Sequence, residues 1–153
     1  SDNLGRASGL IKAAGGGGKV LQVVADTDVT GRTTTSATYV TISGMPSVDI
    51  TPAATTSKIL LLAGFSHSEV NGGEAFITIY RDSTNLATGS TASFARLQAT
   101  SARYAMGGTA FLDSPSSTSA LTYTIQIHNN GSSSYTYNID GGTCSLVAME
   151  IGA

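Results

Sequence analysis

Few side chains in this sequence have the chemistry to move a proton, attack a substrate or hold a metal. There are two histidines, His67 and His128, with seven Asp, three Glu and one Cys. His67-Ser68-Glu69 sets a base, a hydroxyl and a carboxylate in a row, ahead of a Gly/Asn/Glu loop ending near Glu74. Nucleophilic catalysis needs a nucleophile aligned with a base and an orienting carboxylate, usually beside a Gly-rich oxyanion turn. No G-x-S-x-G occurs here, so His67 reads as a solvated loop histidine. His128, beside Asn129 and Asn130, reads as a surface or turn-bonding residue. Glycoside hydrolysis needs a pair of carboxylates, and no loop presents one from Glu69, Glu74, Glu150 and the Asp residues. Asp26-Thr27-Asp28 alternates oxygen ligands as a Ca²⁺ site does, without the Gly and Glu that complete an EF-hand loop. Cys144 has no second Cys for zinc; alternating with Leu146 and Ala148, it reads as a buried, inert thiol. Gly15-Gly16-Gly17-Gly18-Lys19 resembles a phosphate loop only superficially, because Val20-Leu21 open a strand where that motif needs Ser/Thr and a helix. Tyr123, Tyr135 and Tyr137 have rings that could stack on a sugar, with core or interface packing as the favoured reading. No catalytic, cofactor or metal residue is assigned, and the chain is not expected to be an enzyme.

The surface that would carry such chemistry is unusual. Of 153 residues only 12% are charged, with a formal net charge of −2 and a pI near 5.5, where an ordinary soluble domain has roughly 25% charged residues. Ser and Thr exceed a quarter of the chain, Thr favouring pleated strands and Ser filling turns. A neutral hydroxyl surface avoids the desolvation of charge when subunits pack, so it suits assembly or sugars. No Lys/Arg cluster exists to neutralise phosphates, so nucleic acid is not an expected partner. The longest apolar run, about 59–65, is far short of the ~20 residues of a membrane span, and no membrane partner is expected. One Cys allows no intrachain disulfide. The Ser1-Asp2-Asn3-Leu4-Gly5 start lacks the features of a signal peptide, so the expectation is synthesis in a reducing cytoplasm without export.

Two regions differ in kind. Residues 1–19 hold six Gly and no sustained period, which predicts a flexible Gly-rich N-terminal arm, with Leu10-Ile11-Lys12-Ala13-Ala14 as a candidate helical turn. Fully extended, such an arm reaches about 60 Å, enough to cross a neighbouring subunit. Residues 20–153 read as one all-β domain, with strands over 20–25, 39–43, 48–51, 58–66, 75–81, 103–112, 121–128, 135–139 and 143–151. The stretch 92–106 reads as loop plus strand. In 121–128, Leu121, Tyr123, Ile125 and Ile127 share one face and Thr122, Thr124, Gln126 and His128 the other. The last three strands predict a meander, with Asp140-Gly141-Gly142 as a tight hairpin turn. Ile59-Leu60-Leu61-Leu62-Ala63 and Leu146-Val147-Ala148-Met149 are apolar on both faces. A sandwich strand needs only one buried face, so the second is either covered by loops or a subunit interface. The natural architecture is an antiparallel β-sandwich, jelly-roll-like, with an extended arm.

Several phrases carry a resemblance: Gly15 through Val24, the Thr-rich 32–38, Val48-Asp49-Ile50-Thr51-Pro52 leading into Ser57-Lys58-Ile59-Leu60-Leu61, and Ile77-Thr78-Ile79-Tyr80-Arg81-Asp82. Together they resemble a group of small structural proteins of tailed bacteriophages of the marine and cyanobacterial type. The resemblance spans most of the chain, contains no catalytic motif and carries over no active-site residue. It implies a homotrimeric, jelly-roll-like β-sandwich at the virion surface. On a first hypothesis this is a capsid decoration (cement) protein that stabilises the head. Its partners are then itself and the major capsid protein or another virion protein, and the arm contacts neighbouring subunits through Leu4, Arg6, Leu10, Ile11 and Lys12. On a second, it is a receptor-binding tail-fibre tip whose loops around 129–137 meet host glycan. A polysaccharide hydrolase is a third, weakened by the lack of a carboxylate pair.

Overall fold

Alternation dictates the elements. Where every second residue is large and apolar the chain extends, because only a pleated strand puts that period on one face. The computed structural model describes residues 18–69, 73–99, 103–130, 135–138 and 142–152. The chain runs through β1 (Lys19–Asp28), β2 (Arg32–Thr34), β3 (Ser47–Ile50), β4 (Lys58–Glu69), β5 (Gly73–Arg81) and β6 (Thr84–Asn85). It continues through β7 (Ala95–Ala99), β8 (Arg103–Asp113), β9 (Leu121–Asn129), β10 (Tyr135–Tyr137) and β11 (Cys144–Gly152). The described residues contain no helix, and so none long and apolar enough to cross a membrane.

Every pairing is antiparallel, and two strands are interrupted rather than ended. β11 pairs with β4 from Ser145↔Gly64 to Ile151↔Lys58, and β10 pairs with the same edge of β4 farther on, Tyr137↔His67 to Tyr135↔Glu69. β1 pairs with β11, and β2 with β10, so they too lie end to end. Both breaks fall at one level. Asn138 stitches them there: its backbone N–H donates to Ser66 O at 2.8 Å and its Nδ2 to Asp28 O at 2.7 Å. Its φ of 56° is a left-handed conformation that Asn tolerates better than most residues.

With each broken strand taken as one, the first sheet is β1/β2, β11/β10, β4, β8, and the second is β3, β9, β5, β7/β6. Consecutive strands mostly alternate between sheets. This is the jelly-roll arrangement, and the expected all-β sandwich is the fold observed. Several sequence expectations change. β9 belongs to the second sheet and β10 and β11 to the first, so the meander is replaced by a crossing between sheets. The Asp140-Gly141-Gly142 phrase stands between two strands that both pair with β4 and run in the same direction, so the expected hairpin is not formed; a turn signal cannot say whether the strands flanking it pair with each other. The 39–43 strand is reduced to one bridge, Val40↔Ile127, while β2, β6 and β7 are additional short strands. The stretch 92–106 holds β7 as well as the start of β8.

The core lies between the sheets. β4 contributes Ile59, Leu61, Ala63 and Phe65, β9 contributes Leu121, Tyr123, Ile125 and Ile127, and β11 contributes Leu146 and Ala148. Each large apolar side chain so buried contributes about 1.5–3 kcal/mol. One polar pin crosses the core. Arg81 on β5 donates from Nη1 to both oxygens of Asp113 on β8 at 2.8 and 2.7 Å, and Tyr123 OH on β9 donates to the same carboxylate at 2.7 Å. Burial, reinforced by that carboxylate, pushes the Tyr123 hydroxyl far up, so it stays a donor.

The predicted arm lies almost wholly outside the described residues, and with it Leu4, Arg6, Leu10, Ile11 and Lys12; the described strand begins at Lys19.

Candidate functional site: an uncovered apolar sheet face

The residues between the inward ones on the first sheet point away from the core. On β4 these are Leu60, Leu62, Gly64 and Ser66; on β11, Ser145, Val147, Met149 and Ile151. Register extends the face to both neighbours. Leu112, Ala110, Gly108 and Met106 of β8 stand opposite Leu60, Leu62, Gly64 and Ser66. Val20, Val23, Ala25 and Thr27 of β1 stand opposite Ile151, Met149, Val147 and Ser145, with the register slipping by one residue between Val20 and Gln22. That slip keeps Gln22 inward and Val23 outward.

Nothing within the described residues covers this face. Val20 is 50% exposed, Val23 54%, Leu112 54% and Met106 90%, while the central Leu60, Leu62, Val147 and Met149 are half-buried by one another. Among its described side chains the one ionisable group is Lys58, at the rim, where Nζ donates to Ser114 Oγ at 2.9 Å. Four strands at ~4.8 Å and a length of ~30 Å give an area on the order of 500 Å², near the upper end of patches found on monomers. Covering it would contribute about 12 kcal/mol before the roughly 4–15 kcal/mol cost of association.

The outer face of the second sheet is built differently. It carries Thr122, Thr124, Gln126 and His128 on β9 with Phe76, Thr78 and Tyr80 on β5. Tyr39 lies across it: ring centroids are 5.4 Å from His128 and 6.1 Å from Tyr80, and its hydroxyl donates to Thr91 O at 3.0 Å. His128 stacks on Phe76 at 5.2 Å, and the Arg96 guanidinium sits 5.7 Å from that ring while pairing with Glu74. Thr78, fully buried, donates to Asn85 Oδ1 at 2.6 Å, and Asn85 Nδ2 donates to Ala92 O at 2.8 Å, holding the 86–93 loop over the sheet. Burial raises the Tyr39 hydroxyl above its ordinary pKa.

The residues singled out for chemistry are dispersed. His67-Ser68-Glu69 form the end of β4 and not a loop, since they pair with β10 and β8 on either side. His128 is a stacking partner. Glu150 is fully buried, accepting from Gln22 Nε2 at 2.6 Å and the Ala53 N–H at 2.7 Å. Burial pushes its carboxyl up, but these hydrogen bonds outweigh that and hold it below the usual carboxylate range. Asp28 is held low by the Arg32 guanidinium, at 2.8 Å from Nε to Oδ2, and Asp26 accepts from the N–H groups of Thr27 and Ser47. Among the described residues no group of three or more His, Cys, Asp or Glu is arranged to hold a metal. Cys144 is buried against the Tyr137 hydroxyl, and burial pushes its thiol up to about 11, leaving it protonated at neutral pH. The tyrosines take the favoured core-packing reading over sugar stacking: Tyr123, Tyr135 and Tyr137 are each 0% exposed, because they sit on inward positions of β9 and β10. A ring that faces the other sheet has no side left for a ligand.

Sequence reasoning found the double-sided apolar character of β4 and β11 but missed β1 and β8 as parts of the same face. The signal was present in Ala110 and Leu112, spaced by two. In β1 the slip at Leu21 hides it, by placing outward Val20 and Val23 three apart. No family model matches the chain, and no curated protein does either. Among solved structures, the VP2 subviral particle of infectious bursal disease virus superimposes on 88% of this chain and 39% of its own, with a TM-score of 0.44 and 16% identity. A mutant VP2 of that virus in derived T=1 particles gives the same TM-score and identity over 88% of this chain and 37% of its own. The chain thus spans about two fifths of the length of those proteins. The fold assignment rests on the strand order described above.

Proposed function

We propose that the chain is a virion structural protein of a tailed bacteriophage, a homotrimeric capsid decoration (cement) protein at the virion surface that stabilises the head. Its partners on this reading are copies of itself and the major capsid protein. One observation carries the proposal: a jelly roll with very few charges leaves the described outward face of β1, β11, β4 and β8 apolar and open, a surface suited to burial in an assembly. The described polar groups support it by their engagement, since Glu150, Asp113, Asp28 and Glu74 are each committed to structural hydrogen bonds or ion pairs. The arm residues Leu4, Arg6, Leu10, Ile11 and Lys12 are proposed to reach neighbouring subunits on the shell. The alternative of a glycan-binding tail tip loses the tyrosine platform that favoured it.

The test is to mix purified protein with phage heads lacking it, and separately with tails, and to sediment each. Co-sedimentation with heads in multiples of three copies per site is the expected result. Sedimentation with tails alone overturns the head assignment, and sedimentation with neither overturns the virion role.

A further inference from the structure

We infer that the open face formed by β1, β11, β4 and β8 is the surface on which copies of this chain pack against one another, so that self-association precedes any docking to a shell. The inference deepens the structural reading above and rests on it for the number of copies made. Three observations point to a second copy as the occupant.

The first is the distribution of charge. Near a symmetry axis every group meets its own equivalent, so a charge there meets a like charge. A face meant for copies of itself has to be cleared of charge, whereas a face for a different partner gains selectivity and association rate from complementary charges. Across four strands the described outward side chains are Val, Leu, Ile, Met, Ala, Gly, Ser and Thr, with Lys58 only at the rim. Charges stand elsewhere, on Asp26, Asp28, Arg32, Glu74 and Arg96, so their exclusion is local.

The second is area. A specific interface buries roughly 1,200–2,000 Å² in total. In a closed ring of three, each face on the order of 500 Å² is shared between two neighbours, so the ring withdraws about 1,500 Å² of apolar surface in all, and exposed Leu21 on β1 extends it. The third is the contrast with the other sheet, which the chain covers with its own Tyr39 and 86–93 loop. The first sheet receives no such cover within the described residues.

The experiment uses the full chain without heads. Sedimentation velocity at about 10 µM gives the wild-type oligomer. The paired substitution Val23→Glu and Leu112→Glu, at two positions already half exposed, is expected to weaken association at least about 100-fold and give monomers, with far-UV circular dichroism unchanged. Because that variant could fail to fold, a second readout uses Ala110→Cys: the native Cys144 is buried, so maleimide labels only the new thiol. Labelling at position 110 is expected to be at least about tenfold slower in the oligomer than labelling of a Ser90→Cys control on the other side of the molecule. A monomeric wild type, an oligomer indifferent to both Glu substitutions, or equal labelling rates would overturn the inference. A wild-type monomer that still sediments with heads sinks this inference and leaves the virion reading standing. An oligomer dispersed by the face variants that binds neither heads nor tails does the reverse.

Discussion

The two sheets of this molecule solve the same problem in opposite ways. Each has an inner face in the core and an outer face that begins with no cover. On the second sheet the chain supplies cover: Tyr39 lies across β9 and β5, the 86–93 loop is tethered by Asn85, and His128 and Arg96 close over Phe76. On the first sheet the outward positions are more apolar, and no described residue covers them. An apolar surface in water carries a free-energy cost proportional to its area. The difference teaches that the described chain finishes one outer face with its own segments and leaves the other to a cover from elsewhere, which on the proposed reading is another copy.

The comparison breaks most directly on β4 and its neighbour. Leu61→Ala, at an inward position, should lower unfolding stability by about 3–4 kcal/mol, while Leu112→Ala, outward and half exposed, should cost under about 0.5 kcal/mol in dilute monomer. Urea titration measures both, and equal costs would erase the distinction between faces. The core pin is next in size. Asp113→Asn removes the anion facing Arg81 while keeping the shape, with an expected loss of about 2 kcal/mol, and a midpoint within error of wild type would show that the sheets are joined by apolar packing alone. Tyr39→Ala should then cost about 1–2 kcal/mol and raise binding of a hydrophobic dye, because it uncovers the second sheet. If dye binding stays flat, Tyr39 is not the cover.

The smallest effect sharpens the comparison by pH. Glu150, at the β11 end that supports the bare face, has its carboxyl held below the ordinary 4.5. Its contribution to stability is therefore full above about pH 4.5 and is lost as pH falls through the lower folded-state value. Glu150→Gln should remove about 1 kcal/mol at pH 7 and flatten the acid limb of the stability curve. An unchanged acid limb would mean that other carboxylates set it.

The parts of this fold legible in the sequence are those written in one strand's own period. The inward set Leu121, Tyr123, Ile125 and Ile127 emerged intact, as did the inward–outward alternation of β11. What stayed hidden depends on partners. Asp140-Gly141-Gly142 has hairpin chemistry, but whether two strands fold back or run on along β4 is decided by the neighbour. Tyr135 and Tyr137 were weighed for a ligand because a tyrosine carries both a ring and a hydroxyl, and only the sheet assignment shows them facing inward. Tyr39 was placed in a strand, and its role as a cover follows from contacts with Thr91 and His128, which are distant in sequence. The bare face itself needed the register of four strands before its extent was visible.

The pairing of β1 with β11 ties the start of the described chain to its end, Lys19 facing Gly152. On the ribosome β1 emerges before every other described strand, and its partner β11 after all of them. Throughout synthesis its valines therefore remain an unpaired apolar ribbon, and the sandwich closes only in one late, long-range step. Nascent chains crowded on one messenger would offer each other the same ribbon until β11 is made.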